Sequence, residues 1–261
     1  MKLVLLLLIV FVLASCDFTP PLNKKILDAQ NLIRDNQYEE AISRYMVILK
    51  NNHPAEIKVK IRYQIADLYS IYLSRIEEAL PFYEEVSKTS EDDRWKLKSL
   101  ERLADLNFTH LKRYDKAVFY FREMLYLTTD KSEVDFFEYR IAQSYFKKSD
   151  FQNAKQRFLE IGNNKNHAYY VKSIYYQAMI HYYKEEWDQS IGLFQNYISI
   201  EKNRDDVIQA KFILANALES RENLNKAYDI YSSILGEYPN TDVVKAKLES
   251  IYRRRVARKR N

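Results

Sequence analysis

Small and large apolar residues recur along the chain at a nearly constant interval. Six small residues, Ala41, Ala79, Ala117, Ala154, Ser190 and Ala227, stand 36 to 38 positions apart. Four positions after each comes an aromatic ring: Tyr45, Tyr83, Phe121, Phe158, Phe194 and Tyr231. Three positions before stand Tyr38, Ile76, Tyr114, Phe151, Trp187 and Leu224, and seven after stand Ile48, Val86, Met124, Ile161, Tyr197 and Ile234. Offsets of −3, 0, +4 and +7 share one face of an α-helix, so each set predicts an amphipathic helix. Twelve or thirteen positions before each anchor stands an Ala: Ala29, Ala66, Ala104, Ala142, Ala178 and Ala215. Each of these predicts a partner helix, whose backbone approaches the first closely where the small residues meet. Asp35-Asn36-Gln37 and Lys148-Ser149-Asp150 interrupt the pattern within a pair, and polar stretches at 91–94, 128–133, 163–166 and 201–206 interrupt it between pairs. Pro81 falls inside one second helix and is expected to kink it or shift its start. Asp92-Asp93 and Asp205-Asp206 lie in the inter-pair turns, where helix N-capping accounts for them.

The N-terminus breaks this rhythm. Met1 and Lys2 precede twelve unbroken apolar residues, Leu3 to Ala14. As a helix they span roughly 18 Å, short of the roughly 30 Å hydrocarbon core of a bilayer. That is the size of a signal-peptide apolar region behind a single positive charge. The run ends in Leu13-Ala14-Ser15-Cys16, which resembles the lipobox of bacterial lipoproteins. The resemblance implies a signal peptide over 1–15, diacylglycerol in thioether linkage on Cys16, and cleavage before it. A lipidated Cys and tether then cover 16–23, where Pro20-Pro21 favours extended backbone. The implied location is the bacterial envelope, at the outer membrane facing the periplasm. Asp17 is similar to the enteric inner-membrane retention signal and keeps the inner membrane open.

Composition removes several classes of function. Gly162, Gly192 and Gly236 are the only glycines, too few for a phosphate-binding loop. Cys16 is the only cysteine, and the four histidines never fall at helical pair spacing, so no metal and no cofactor is expected. The formal charge is +5, but Arg253, Arg254, Arg255, Arg258, Lys259 and Arg260 supply six positive charges in the last nine residues. Without those six the chain sits at −1, which argues against a nucleic-acid-binding body. The basic run suits either a solvated helix end or contact with a membrane or acidic partner. No catalytic constellation is legible, and neither an enzyme nor a small-molecule substrate is expected.

The paired pattern resembles the tetratricopeptide repeat (TPR) family. The resemblance implies an all-α superhelical solenoid of about six helix-turn-helix repeats over 24–239, with a capping helix and basic tail over 240–261. It also implies a protein-binding groove built from the first helix of each repeat. Counted from the anchors, the groove positions of repeats four and five are Phe136, Tyr139, Gln143 and Phe146, then Tyr175, Tyr176, Met179, Tyr182 and Tyr183. Tyr offers rigid apolar area with a hydroxyl and suits recognition of a peptide or sugar. The same rings would equally pack between helices, and both readings stand at this point. A carboxylate clamp of the chaperone-binding kind is excluded, because Tyr63, Glu101, Tyr139, Tyr175 and Phe212 occupy its positions. The expected function is a periplasm-facing, membrane-anchored scaffold whose partners are other envelope proteins or peptide segments. Alternatives are a role in outer-membrane barrel assembly, as in BamD-like lipoproteins, or a peptidoglycan-associated or transporter-associated module.

Overall fold

The computed structural model describes residues 21–260. The expected signal peptide, Cys16 and Asp17 lie outside the described residues. The described chain is all α-helical, in two units divided between Leu103 and Ala104. Its helices are α1 (Pro21–Arg34), α2 (Tyr38–Leu49), α3 (Ala55–Asp67), α4 (Ile76–Thr89), α5 (Asp93–Asp105), α6 (Tyr114–Leu125) and α7 (Lys131–Lys147). They continue as α8 (Phe151–Gly162), α9 (Tyr170–Tyr183), α10 (Trp187–Ile200), α11 (Arg204–Ser220), α12 (Leu224–Ser233) and α13 (Thr241–Arg260). None of the described helices is long and apolar enough to cross a membrane.

The anchors form the core in both units. All six second-helix anchors and all six first-helix alanines are wholly buried. The +4 aromatics and the +7 residues are buried too, from Tyr45 to Tyr231 and from Ile48 to Ile234. In unit 1, Ala29, Ala41, Ile42, Tyr45, Ile48, Ile61, Ile65 and Leu68 make one cluster. In unit 2, each helix from α6 to α13 packs on its neighbour in the chain. Hairpins of this kind cannot bury their apolar faces alone, so stability comes from stacking.

The hairpin turns share one conformation. Asn36, Ser74, Lys112, Ser149, Glu185 and Glu222 all have φ between 53° and 65°. Each stands five positions before an anchor. In four of the turns the next residue donates its N–H to a carbonyl five back, as Gln37 does to Leu32 and Asp150 to Tyr145. This is the Schellman closure of a helix, which ordinarily takes Gly at the left-handed position. In repeats two and three the anchor separation is thirteen, and the extra residue appears as a π-helical turn at Leu68–Tyr72 and at Leu106–His110. There the closing bond spans six residues, from Arg75 to Tyr69 and from Arg113 to Asn107. A left-handed residue with a side chain costs about 1–2 kcal/mol. Lys112→Gly should therefore raise unfolding stability by about 1 kcal/mol in urea titration. Asn36→Gly should change little, since Asn already tolerates the region. Equal effects at the two positions would contradict this account of the turns.

Three details differ from the sequence expectation. α1 begins at Pro21, so residues 21–23 of the expected tether are helical; Pro is accommodated in a first helical turn, where its missing N–H has no helical partner. Pro81 lies inside α4 without moving its start, since Ile76 is equivalent to Tyr38 and Tyr114. At α11 the cap is Asn203, whose side chain accepts the N–H groups of Asp205 and Asp206; those two acids occupy the first turn, where the helix dipole favours them. Asp92 does accept the Arg94 N–H at the start of α5.

Candidate functional site

The predicted groove residues sit on α7 and α9, the first helices of repeats four and five, within unit 2. Six of them converge. Gln143 Nε2 donates to the hydroxyls of Tyr139 and Tyr176, each at 2.8 Å. Tyr176 lies flat on Phe158 at 4.7 Å, and Phe146 meets Tyr176 edge-on at 5.0 Å. Tyr183 stacks on Phe151 at 5.6 Å and remains 55% exposed. Tyr139 stacks on Tyr169 at 4.2 Å, and Phe136 lies 6.3 Å from Tyr169. Burial, and then the neighbouring tyrosines, push the Tyr139 phenol far above its usual range.

The other three turn toward α10, the second helix of their own repeat. Tyr175 packs on Phe194 and Tyr197, at 5.8 and 5.3 Å. Burial pushes its phenol up to about 12. Tyr182 meets Trp187 edge-on at 5.4 Å, and Met179 packs on the same core as Tyr182. Adjacent positions on a helix diverge by about 100°. The pairs Tyr175-Tyr176 and Tyr182-Tyr183 therefore serve two neighbouring repeats. These rings are half-buried, with part of each facing solvent.

Two contributors are additional to the groove positions read from the sequence. Tyr169, at the start of α9, supplies the ring beneath Tyr139. Arg140 lays its guanidinium 3.8 Å over Phe108 and donates to Asp105 at 3.1 Å and to Gln143 at 3.5 Å. This cation–π pair holds a positive charge flat beside the aromatic row. Arg140 was legible only as the residue two places before an alanine anchor.

The basic end of α13 is largely occupied. Arg254 donates to Glu219 at 2.9 Å and to Glu222 at 2.6 Å, and Arg258 also pairs with Glu222. Arg253 pairs with Glu249, and Arg255 lies over the Tyr228 ring at 5.1 Å. The side chains of Lys259 and Arg260 lie outside the described residues. Surface pairs of this kind contribute about 0–1 kcal/mol each, but they divert charge from outside partners.

A second polar cluster joins α7 to the connection between α8 and α9. Asp135, Glu138 and His167 bring three possible ligand atoms within 4.8 Å of one another. His167 Nε2 is 3.3 Å from Glu138 and 3.6 Å from Asp135. It opens on a cleft of about 580 Å³ lined by Arg122, Tyr126, Ile141, Arg157 and Ile161. The cluster does not fit a metal ion. His167 Nδ1 accepts the Tyr169 N–H at 3.0 Å, so in the neutral ring the proton resides on Nε2. Lys131 Nζ also lies 3.0 and 3.2 Å from the two Asp135 oxygens. Burial works against the Asp135 charge, but hydrogen bonds from the Ala168 N–H and Lys131 outweigh it and hold its pKa low.

Comparison with known proteins agrees with the geometry. The sequence pattern of the tetratricopeptide repeat matches residues 209–241, which run from α11 into α13. No curated protein matches the chain. The fold is similar to that of PilW, a type IV pilus biogenesis factor: TM-score 0.53 and 16% identity, over 88% of this chain and 98% of that one. It is also similar to the apo form of RapI, at TM-score 0.51 and 13% identity, over 90% of this chain and 75% of the other. The apo quorum sensor NprR from B. thuringiensis gives TM-score 0.50 and 16% identity, over 96% and 74%. The sixth repeat thus carries the tetratricopeptide sequence pattern, and the chain has a TPR-like helical-repeat fold. TPR domains bind protein or peptide partners, and their stacked repeats provide the surface for it.

Proposed function

We propose that the chain is a lipid-anchored envelope scaffold whose α7–α9 face binds a peptide segment of another protein. The observation that carries this reading is the row of half-exposed rings around Gln143. Tyr and Trp give contact area at low entropic cost, and hydroxyls at the surface give direction to hydrogen bonds. Phenols raised as Tyr139 and Tyr175 are stay protonated at neutral pH. They suit binding and not nucleophilic chemistry. The segment 13–16 supports anchoring, because two or three acyl chains on Cys16 hold a protein stably where one does so only marginally. Assembly of envelope proteins, as in BamD-like lipoproteins, is the finer form of the proposal. The outer membrane is the favoured site and the inner membrane the alternative that Asp17 keeps open.

Two measurements test the two halves. Fatty-acid labelling in cells should mark the chain, and Cys16→Ser should leave an unlabelled, full-length precursor. Labelling of that variant would remove the anchor from the account. Tyr183→Ala should cut co-purification of the partner by about tenfold or more, while the fold keeps its helicity, since this ring is exposed. Partner recovery equal to wild type would contradict the binding face.

A further inference from the structure

We propose that His167 is a proton-operated latch on the connection between α8 and α9, releasing the backbone that carries Tyr169 when its ring gains a second proton.

The connection, residues 163–169, is held to α7 by side chains. Asp135 accepts the Ala168 N–H at 2.8 Å, and Lys131 lies 3.4 Å from the Asn166 carbonyl. The next amide, that of Tyr169, is held by His167 Nδ1 at 3.0 Å. This is the geometry of an Asx-turn, with an imidazole nitrogen in place of a carboxyl or amide oxygen. It works only while Nδ1 has a free lone pair.

Charged groups from three helices surround the ring. His167 is buried, its side chain 3% exposed, and Nε2 has no hydrogen-bonded partner. Asp135 and Glu138, both on α7, face Nε2. Lys131 stands beside Asp135, and Arg122 of α6 and Arg157 of α8 lie across the cleft, with Glu160 set against Arg157. A proton arriving on Nδ1 turns that atom from acceptor to donor, and it then confronts the Tyr169 N–H. The amide loses its partner, while the cation is drawn toward Glu138 and Asp135. Tyr169 is stacked on Tyr139 at 4.2 Å and 7° between planes, so the released backbone carries one ring of the aromatic row. The effect on partner binding rests on the binding face proposed above; the latch itself does not.

The test uses the full chain without any partner. Exchange of the Tyr169 amide with solvent deuterium is followed by NMR from pH 8 to pH 5, the interval in which imidazoles titrate, and corrected for intrinsic exchange. Protection is expected to fall by about tenfold, the size of one lost hydrogen bond. In His167→Asn the Asn oxygen accepts the same N–H without titrating, so protection should stay flat. Unchanged wild-type protection overturns the latch, as does an equal fall in the Asn variant. Should that variant not fold, the ring nitrogens of wild-type His167 decide. Nδ1 must change from acceptor to protonated over the same pH interval as the Tyr169 amide shift, and a Nδ1 signal that stays constant while the amide moves overturns the proposal. Pull-down of a partner is not needed for any of these outcomes, so the latch and the binding face fail separately.

Discussion

Phe158→Ala is expected to lower the unfolding free energy of unit 2 by about 3–5 kcal/mol. Phe158 is fully buried on α8. Its ring carries Tyr176 flat on one face at 4.7 Å and meets Tyr139 edge-on at 6.3 Å. Its carbonyl also accepts Gln177 Nε2 at 3.1 Å, so α9 is tied to it by backbone and by ring. Removing the ring leaves a cavity beneath two of the groove tyrosines. Repeats depend on their neighbours, so the loss spreads along the stack. Each unit holds one tryptophan, Trp95 or Trp187, so fluorescence in a Trp95→Phe background reports unit 2 alone. A urea midpoint unchanged by Phe158→Ala would contradict the packing. The neighbouring Leu159, 41% exposed, serves as control, with a loss well under 1 kcal/mol expected for its Ala variant.

Ala178→Trp is expected to be as damaging by the opposite route. Ala178 is wholly buried on α9, and its carbonyl accepts Ser190 Oγ from α10 at 3.1 Å. Two small residues face each other where the helices approach. Inserting an indole there drives the backbones apart and breaks the Ser190 bond. Overpacking of this kind typically costs 1–3 kcal/mol, and here it is expected to reach the upper end or beyond, because the site is wholly buried. Far-ultraviolet helicity should fall and unfolding should begin at lower temperature. An unchanged thermal transition would show that Ala178 does not lie between the helices.

The repeat register was legible because it rests on residue size. A buried aromatic four places after a buried Ala is needed in every repeat, and Tyr45, Tyr83, Phe121, Phe158, Phe194 and Tyr231 all fill that place. Even the π-helical turns were visible as spacings of thirteen instead of twelve, though spacing alone did not say what form the extra residue takes. The direction of each groove ring was less legible. Tyr175 and Tyr176 look alike in a linear pattern, yet one packs on Phe194 and the other on Phe158. Their difference comes from the two neighbouring helices, one on each side. Long-range polar partners were not legible at all. Glu219 and Glu222 meet Arg254 from more than thirty residues away, and His167 meets Asp135 and Glu138 across a whole repeat. Charge pairing of this kind depends on the stacking of helices and leaves no local signature.

The central claim is that the α7–α9 face receives a partner. The most direct test places a photoreactive phenylalanine analogue at position 183 in living cells and identifies the adducts by mass spectrometry. The same analogue at position 159, on the second-helix side of repeat four, is the control. The account predicts a defined envelope protein crosslinked from 183 and not from 159. Adducts confined to the chain itself at 183, or the same adducts from both positions, would contradict it.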